Sequence, residues 1–198
     1  MSNEVEQIVQ QTEALLRLRN EETLQETTPQ RLHECLGEVV MVHINDNWVK
    51  TKKRQTAGRR AFYFSAEYLV GRLVYSNLFN LGILSEVKKA FAEKGVDLAC
   101  LEEIEDAALG SLGRLAACFL DSAATCDVPL TGYGLRYRFG LFKQSFENGS
   151  QRENADDWTK FGDPWSHRRD KLAVKVNFAN QTVIAVPYDM PVIGYENN

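Results

Sequence analysis

Apolar residues recur at helical spacing through the first quarter of the chain. Within residues 1–28 they form one stripe, which predicts a surface helix ending in the polar stretch 25–28 (Val5, Ile8, Val9, Leu15, Leu16, Leu18). Thr28 followed by Pro29 is typical of an N-cap with proline at the first helical position. The spacing from Leu32 to Ile44 then predicts a second helix that ends near Trp48.

Two later segments also follow the helical period. Residues 87–94 predict an amphipathic helix that ends at Gly95. A longer helix is predicted to end near Thr125, because its apolar residues follow the spacing i, i+3, i+4, i+7 (Leu112, Leu115, Ala116, Phe119, Leu120, Ala123). Cys118 and Cys126 bracket this apolar stretch and are interpreted as small core residues.

Elsewhere the pattern is typical of strands. The aromatic run 61–65 predicts a buried strand of a parallel sheet. Residues 132–140 have glycines at both ends and alternating aromatics, which predicts a strand with tight turns. Apolar residues alternate in 172–178 and again in 182–186, which predicts a β-hairpin near the C-terminus. Strands alternating with helices favour the α/β class.

Composition narrows the classes of function. The 198 residues are 44% hydrophobic and 25% charged, ordinary globular values, and the net charge of −4 disfavours nucleic acid as a partner. The basic run 50–54 is interpreted as a solvated loop or an anion contact. The four cysteines and three histidines do not follow a metal-binding pattern. No secretory signal or membrane span is expected, so we predict a cytoplasmic protein.

Three segments of the sequence contain candidate functional residues. Gly110-Ser111-Leu112-Gly113 opens the long apolar helix, where free N–H groups and the helix dipole favour an anion; a plain turn is the alternative. Glu67 follows the predicted strand, where ligand sites of open α/β sheets lie, and a solvated carboxylate is the alternative. Asp156 and Asp157 are better explained as a helix N-cap than as an acid/base pair.

Several long segments together resemble the α-glucan (glycogen, starch or maltodextrin) phosphorylase family. Residues 106–110 and 112–125 are similar to its glycine-loop helix, and residues 63–72 to its strand with a glutamate, a glycine and an arginine. Further similar segments follow in the family's order (132–137, 139–144, 155–158, 162, 164–165, 187–195). The resemblance covers roughly residue 28 to the end.

The resemblance implies a pyridoxal-phosphate-dependent glycosyltransferase that moves a glucosyl unit between an α-1,4-glucan and inorganic phosphate. It implies an incomplete N-terminal Rossmann-like domain of a two-domain GT-B enzyme, with residues 1–27 as a helical extension and residues 28–198 as the partial domain. The family's Schiff-base lysine belongs to a C-terminal domain expected to be absent here. We therefore expect the isolated chain to be inactive and to contain no complete catalytic set.

The resemblance also implies where ligands would lie. Gly110, Ser111, Leu112 and Gly113 fall at the substrate-phosphate loop. This chain has two residues fewer there than the family's Gly-Asn-Gly-Gly-Leu-Gly, which removes N–H donors. Glu67, Tyr68, Leu69 and Arg72 fall along the lining of the cofactor cleft.

Two other functions stay open. Residues 1–80 resemble the family's subunit-contact region, so the chain could be a non-catalytic interaction fragment that forms a homodimer through its N-terminal helices. Alternatively, the loop at residue 110 could serve a small sugar-phosphate-binding domain.

Overall fold

Helices dominate the N-terminal part of the computed structural model, which describes residues 2–56, 58–102, 104, 111–160 and 162–197. The α-helices are α1 (Asn3–Asn20), α2 (Pro29–Thr56), α3 (Leu73–Asn80), α4 (Leu84–Glu93) and α5 (Ser111–Thr125), and a 3₁₀ turn spans Leu98–Leu101. Side chains cap the first two helices. Ser2 Oγ accepts a hydrogen bond from Val5 N, and Thr28 Oγ1 accepts one from Arg31 N, as the Thr28-Pro29 pair predicts.

The main hydrophobic core lies between α1, α2, α3, α4 and the 3₁₀ turn. Its fully buried side chains come from every one of these elements (Ile8, Leu16, Leu32, Leu36, Ile44, Leu78, Phe91, Leu98). From later in the chain, Trp165 and Ile193 join this core. The first half of the chain therefore has a closed interior to which the strand-rich half contributes little.

Four two-stranded sheets follow among the described residues. The strands are β1 (Ala61–Phe64), β2 (Leu130–Tyr133), β3 (Lys143–Glu147), β4 (Ser150–Asn154), β5 (His167–Arg168), β6 (Val174–Asn177), β7 (Thr182–Ala185) and β8 (Tyr188–Asp189). β1 and β2 pair in parallel, whereas β3–β4, β5–β8 and β6–β7 pair antiparallel. The β6–β7 pair occupies the two segments in which apolar residues alternate. This content places the chain in the α/β class.

Helix α5 covers one face of the β1–β2 sheet. Residues in register on neighbouring strands share a face, so Tyr63 and Gly132 lie on the same face of the sheet. The Tyr63 ring meets Phe119 of α5 edge-on at 5.8 Å, and Leu120 packs over Gly132. The α5 layer therefore lies on the Tyr63 side of the sheet.

The ends of the first two helices differ from the prediction. α1 stops at Asn20, where Glu21 takes a left-handed conformation (φ 58°), and Leu18 of its apolar stripe is 79% exposed. α2 continues through the basic run to Thr56, so the predicted loop is wrong. Ion pairs from Lys52 to Asp189 and from Arg54 to Asp127 stabilise these extra turns.

Burial in the β1–α5 region is lower than predicted. Phe62 and Phe64 of β1 are exposed, although the strand was expected to be buried. On α5, the residues Leu112, Leu115 and Phe119 are more than half exposed, and the buried side is formed by the small residues Gly113, Ala116 and Ala117. Cys118 and Cys126 are exposed too, so their assignment to the core is wrong. The helix bounds themselves agree with the prediction.

The strand predicted over 132–140 ends at Tyr133, and a hairpin that was not predicted follows it. Asn148 and Gly149 form its turn, with φ values of 51° and 77°. Asn-Gly is the favoured pair for this left-handed turn, so the sequence did contain the signal.

The two acidic residues at 156–157 do not cap a helix, because the residues that follow form a turn. Asp156 is buried and its carbonyl oxygen accepts a hydrogen bond from Gly140 N at 2.9 Å. Its role is to tie two loops together.

The described residues lack two features that would change the picture. No helix in the described ranges is long and apolar enough to span a membrane. Within the same ranges, no group of three or more histidine, cysteine, aspartate or glutamate side chains is arranged to hold a metal ion.

Candidate functional site

The segment that leaves β1 contacts the first turn of α5. Gly113 N donates a hydrogen bond to Glu67 Oε1 at 3.3 Å, although the two residues are 46 positions apart. Leu69 N donates to Gly113 O at 2.9 Å. The structure therefore brings together three of the sequence-predicted site residues, one from the loop and two from the cleft lining.

A tight turn at the end of β1 directs Glu67 toward the helix. Ser65 N still donates to Tyr133 O of β2 at 3.0 Å, so the strand pairing persists to this residue. The Ser65 hydroxyl then donates to Glu67 O at 2.7 Å and accepts from Glu67 N at 3.4 Å. A serine that bonds the backbone two residues ahead closes a turn locally.

A side chain at position 113 would be crowded by the close approach of this segment. A Cβ atom there would lie 3.0 Å from Glu67 Cγ, 3.3 Å from Glu67 Cδ and 3.1 Å from Leu69 N. These distances are tighter than ordinary van der Waals contact. The glycine thus lets the helix backbone reach the carboxylate directly.

Glu67 supplies the negative charge that the N-terminus of α5 lacks. The first turn of this 15-residue helix contains no acidic residue. A carboxylate near a helix N-terminus is stabilised by the unpaired N–H groups and the helix dipole, typically by about 0.3–1 kcal/mol. An anionic ligand that approached Gly113 would therefore meet a carboxylate already bonded there.

Arg114 directly follows the predicted loop and also contacts the segment after β1. Its Nη1 atom donates to Leu69 O at 3.4 Å and to Val70 O at 3.3 Å. About two turns further along the helix, burial raises the pKa of Asp121, and the charge of Arg114 opposes that shift.

Tyr68 packs against the β1–β2 sheet, and its hydroxyl group makes a hydrogen bond. The hydroxyl donates to Tyr63 O at 2.6 Å, and burial raises the pKa of Tyr68. A Cβ on Gly132 or on Gly134 would come within 2.9 Å of its ring, so both glycines make room for it. Tyr68 therefore acts as a packing residue that holds the segment after β1 in place.

The remaining predicted site residues occupy several places. Ser111 begins α5, and Leu112 follows with 70% of its surface exposed. Arg72 precedes α3, and its Nη1 atom lies 3.7 Å from Glu102 Oε2. Gly110 lies outside the described residues.

Comparison with known proteins gives consistent similarities. A family model for carbohydrate phosphorylases matches residues 91–198. The brain form of glycogen phosphorylase from Homo sapiens is 40% identical over 190 residues, covering 86% of this chain and 22% of the human protein. The Bos taurus brain form is 41% identical over 183 residues, covering 83% of this chain and 22% of the bovine protein. The Rattus norvegicus muscle form is 40% identical over 190 residues, covering 86% of this chain and 23% of the rat protein. The chain thus spans less than a quarter of these relatives' length.

Proposed function

Because the chain belongs to the carbohydrate phosphorylase family, we propose that it forms the N-terminal part of an α-1,4-glucan phosphorylase. That enzyme would use inorganic phosphate to release glucose 1-phosphate from the non-reducing end of a glucan. The observation that carries the proposal is the Glu67–Gly113 contact. It joins two of the segments whose motifs resemble the family, the strand exit and the glycine-loop helix.

The proposed fold is part of a Rossmann-like domain in a two-domain GT-B enzyme. The parallel β1–β2 pair, with α5 on one face, supports it, because parallel strands are typical of doubly wound α/β domains. In such sheets, ligands bind beyond the carboxyl ends of the strands. Glu67 and Gly113 lie just beyond the end of β1, which is consistent with a cleft there. The division at residue 27 and a cytoplasmic location both stay predictions.

We assign the loop Gly110–Gly113 to the substrate phosphate and glucosyl ring, as the family resemblance implies. In this chain the Gly113 N–H is bonded to Glu67, so this donor is available to a ligand only if the carboxylate moves. The two residues that this chain lacks relative to the family loop would have supplied further N–H groups. Both features should weaken phosphate binding relative to a full-length loop.

Pyridoxal phosphate would not be anchored by this chain. Of the residues that resemble the cofactor-cleft lining, Tyr68 directs its hydroxyl to Tyr63 O, and Leu69 bonds to Gly113 through its backbone. Arg72 is close to Glu102. These residues fit a cleft wall but do not fit a covalent cofactor site, so we assign no step of the reaction to the cofactor here. Borohydride reduction and peptide mapping should find no stoichiometric pyridoxyl-lysine in this chain.

A chimera tests the proposed function. The segment of the human brain-form enzyme that aligns with this chain is replaced by this chain's sequence, in two versions. One keeps Gly110-Ser111-Leu112-Gly113, and the other restores the six-residue family loop. We expect the restored version to form glucose 1-phosphate from maltodextrin and phosphate. The short-loop version should be slower by about 10²-fold or more, because misplacement near 1 Å costs that much.

Each chimera result has a definite meaning. An inactive restored chimera that folds and binds pyridoxal phosphate would overturn the proposal. Equal activity of both versions would show that the short loop is competent and that its assignment as defective is wrong. The isolated chain is the matched control, and we expect it to release no glucose 1-phosphate above a buffer blank.

The second candidate is a homodimerising interaction fragment. Val42 and Val49 of α2 are 65% and 41% exposed and, seven residues apart, lie on one helix face. If this face mediates a dimer, Val42→Lys should abolish it in sedimentation velocity. In the third candidate, a free sugar-phosphate-binding domain, the phosphate would meet the same Glu67 carboxylate at the N–H group of Gly113.

A further inference from the structure

The tip of the β3–β4 hairpin consists of an asparagine followed by a glycine. Asn148 and Gly149 have φ values of 51° and 77°, and the pairing of Glu147 with Ser150 closes a two-residue turn around them. Both tip residues are exposed, and a Cβ atom on Gly149 would meet nothing within 4 Å. The Asn148 side-chain amide and the Gly149 backbone nitrogen are therefore adjacent in the chain and open to water.

An asparagine side chain can react with the backbone nitrogen of the residue that follows it. The nitrogen attacks the side-chain carbonyl carbon, and a five-membered ring closes. A side chain on the following residue crowds this nitrogen, whereas glycine has no Cβ atom. The dipeptide Asn-Gly occurs once in the sequence, at residues 148–149. The chain therefore has one asparagine at which ring closure is sterically unhindered.

The hairpin that holds this turn is weakly stabilised. Every residue from 143 to 154 is exposed except the half-buried Ser145, and Phe146 is 79% exposed. A two-stranded hairpin with so little apolar burial is marginally stable and opens locally at a low cost in free energy. At its base, Gly140 N donates a hydrogen bond to Asp156 O at 2.9 Å. Opening at the tip releases Asn148 from its left-handed conformation, so that its side chain can reach Gly149 N.

The β6–β7 hairpin offers a comparison within the same chain. Its loop also presents an exposed asparagine, Asn180, but Gln181 follows it. Phe178 N donates to Gln181 O at 2.7 Å, which closes this loop. Asn180 is thus exposed at a hairpin tip like Asn148, but the nitrogen that would attack it belongs to a residue with a long side chain.

We propose that Asn148 is a site of covalent self-modification, at which Gly149 N displaces the side-chain amide and water then opens the ring. In the first step, the bond from Gly149 N to Asn148 Cγ forms and the bond from Cγ to Nδ2 breaks. Nδ2 leaves as ammonia and takes up the proton that Gly149 N loses. Water then adds to one of the two ring carbonyls. Attack at the side-chain carbonyl yields aspartate, and attack at the main-chain carbonyl yields isoaspartate.

Both products change the hairpin. Each replaces a neutral amide with a carboxylate close to Glu147 in the chain, so the net charge of −4 becomes more negative by one unit. Isoaspartate also routes the backbone through the side-chain carbons, which adds one atom to the turn and disturbs the pairing of Glu147 with Ser150. Its exposed α-carboxylate is the group that a methyltransferase specific for isoaspartate would recognise.

Peptide mapping tests the proposal. The 198-residue chain is incubated at neutral pH and physiological temperature in water enriched in heavy oxygen, and its peptides are fragmented by mass spectrometry over time. We expect residue 148 to gain heavy oxygen at least about tenfold faster than residue 180, because only Asn148 combines an unhindered nitrogen with a hairpin that opens locally. Equal rates at the two residues, or no gain at residue 148, would overturn the proposal.

A second readout is methyl transfer. The incubated chain is treated with a recombinant isoaspartyl carboxyl methyltransferase and labelled S-adenosylmethionine. We expect the label in the peptide that contains residue 148. Label confined to other peptides would place the reactive asparagine elsewhere and contradict the assignment.

Variants separate the glycine from the opening of the hairpin. Gly149→Gln gives Asn148 the same neighbour that Asn180 has. It should slow the reaction at residue 148 at least about tenfold, although a glutamine at φ 77° strains the turn and favours opening. An unchanged rate would overturn the proposal, because the glycine would then have no part in the reaction.

Two asparagine variants complete the set. Asn148→Gln removes the five-membered ring and should abolish both signals at residue 148. Asn180→Gln is the matched control and should leave the rate at residue 148 unchanged. Signals that persist in Asn148→Gln, or that disappear in Asn180→Gln, would show that Asn148 is not the site.

Discussion

Gly113→Ala should destabilise the protein, although alanine is normally the better helix residue. The new methyl group would lie 3.0 Å from Glu67 Cγ and 3.1 Å from Leu69 N. Leu69 cannot retreat freely, because its N–H is bonded to Gly113 O at 2.9 Å. Glu67 must therefore move, which lengthens its hydrogen bond to the Gly113 N–H.

The expected size follows from three opposing contributions. Crowding a packed site costs about 1–3 kcal/mol, and weakening one hydrogen bond costs about 0.5–1.5 kcal/mol. Replacing a helical glycine by alanine recovers at most about 1 kcal/mol. The net loss in free energy of unfolding should be about 2 kcal/mol (range about 0.5–3.5 kcal/mol), which lowers Tm by roughly 4–8 °C in a protein of this length.

A double-mutant cycle in urea, followed by far-UV circular dichroism, measures the effect. Glu67→Ala alone should cost about 1 kcal/mol, because it removes the carboxylate from Gly113 N. In its background, Gly113→Ala should cost about 1 kcal/mol less, since Cγ and Cδ of residue 67 are gone. Gly58→Ala is the matched control: a Cβ there meets nothing within 4 Å. It should change stability by less than about 0.5 kcal/mol.

A Gly113→Ala variant as stable as Gly58→Ala would contradict this prediction. Losses in free energy of unfolding at positions 67 and 113 that simply add would contradict it as well. Either result would mean that the β1 exit and α5 do not make the close contact seen in the structure.

Three further substitutions have definite expected outcomes. Burial raises the pKa of Asp121, so Asp121→Asn should raise Tm at neutral pH, and the gain should vanish below about pH 3.8, its ordinary value. Burial opposes ionisation of Asp189, but hydrogen bonds from Lys52 and Arg169 outweigh it and lower the pKa of Asp189. Asp189→Asn should therefore lower Tm at neutral pH, with the difference shrinking as pH falls below about 3.8 in thermal melts; a pH-independent difference would contradict this. Gly194→Ala places a Cβ 2.5–2.6 Å from backbone atoms in the last turn of α5 and should cost about 1–3 kcal/mol in urea unfolding, whereas an unchanged midpoint would show that this contact is loose.

Local pattern predicted the elements whose residues interact with near neighbours. The bounds of α5 and the start of α2 at Thr28-Pro29 both depend on spacing and capping within a few residues. The same local rules predicted that α2 ends near Trp48, whereas it ends at Thr56. Its last turns are held by ion pairs to residues 127 and 189, which lie far away in the sequence. The hairpin at Asn148-Gly149 also has a local turn signal, so the sequence alone is sufficient to predict it.

Apolar periodicity also determined which side of α5 is apolar, but not whether that side is covered. Leu112, Leu115 and Phe119 are on the predicted face and are exposed. Burial is a property of what packs against a helix, and the periodicity of a segment contains no information about its neighbour.

The candidate site was decided by tertiary structure. The sequence by itself determined a glycine-rich helix start and a glutamate after a strand, each with an ordinary alternative. Only the parallel pairing of β1 with β2, nearly 70 residues apart, sets the strand beside α5 and so brings the Glu67 carboxylate to Gly113 N. Hydrogen bonds between distant segments form only after the chain has closed the loop between them, at an entropic cost that local patterns do not encode.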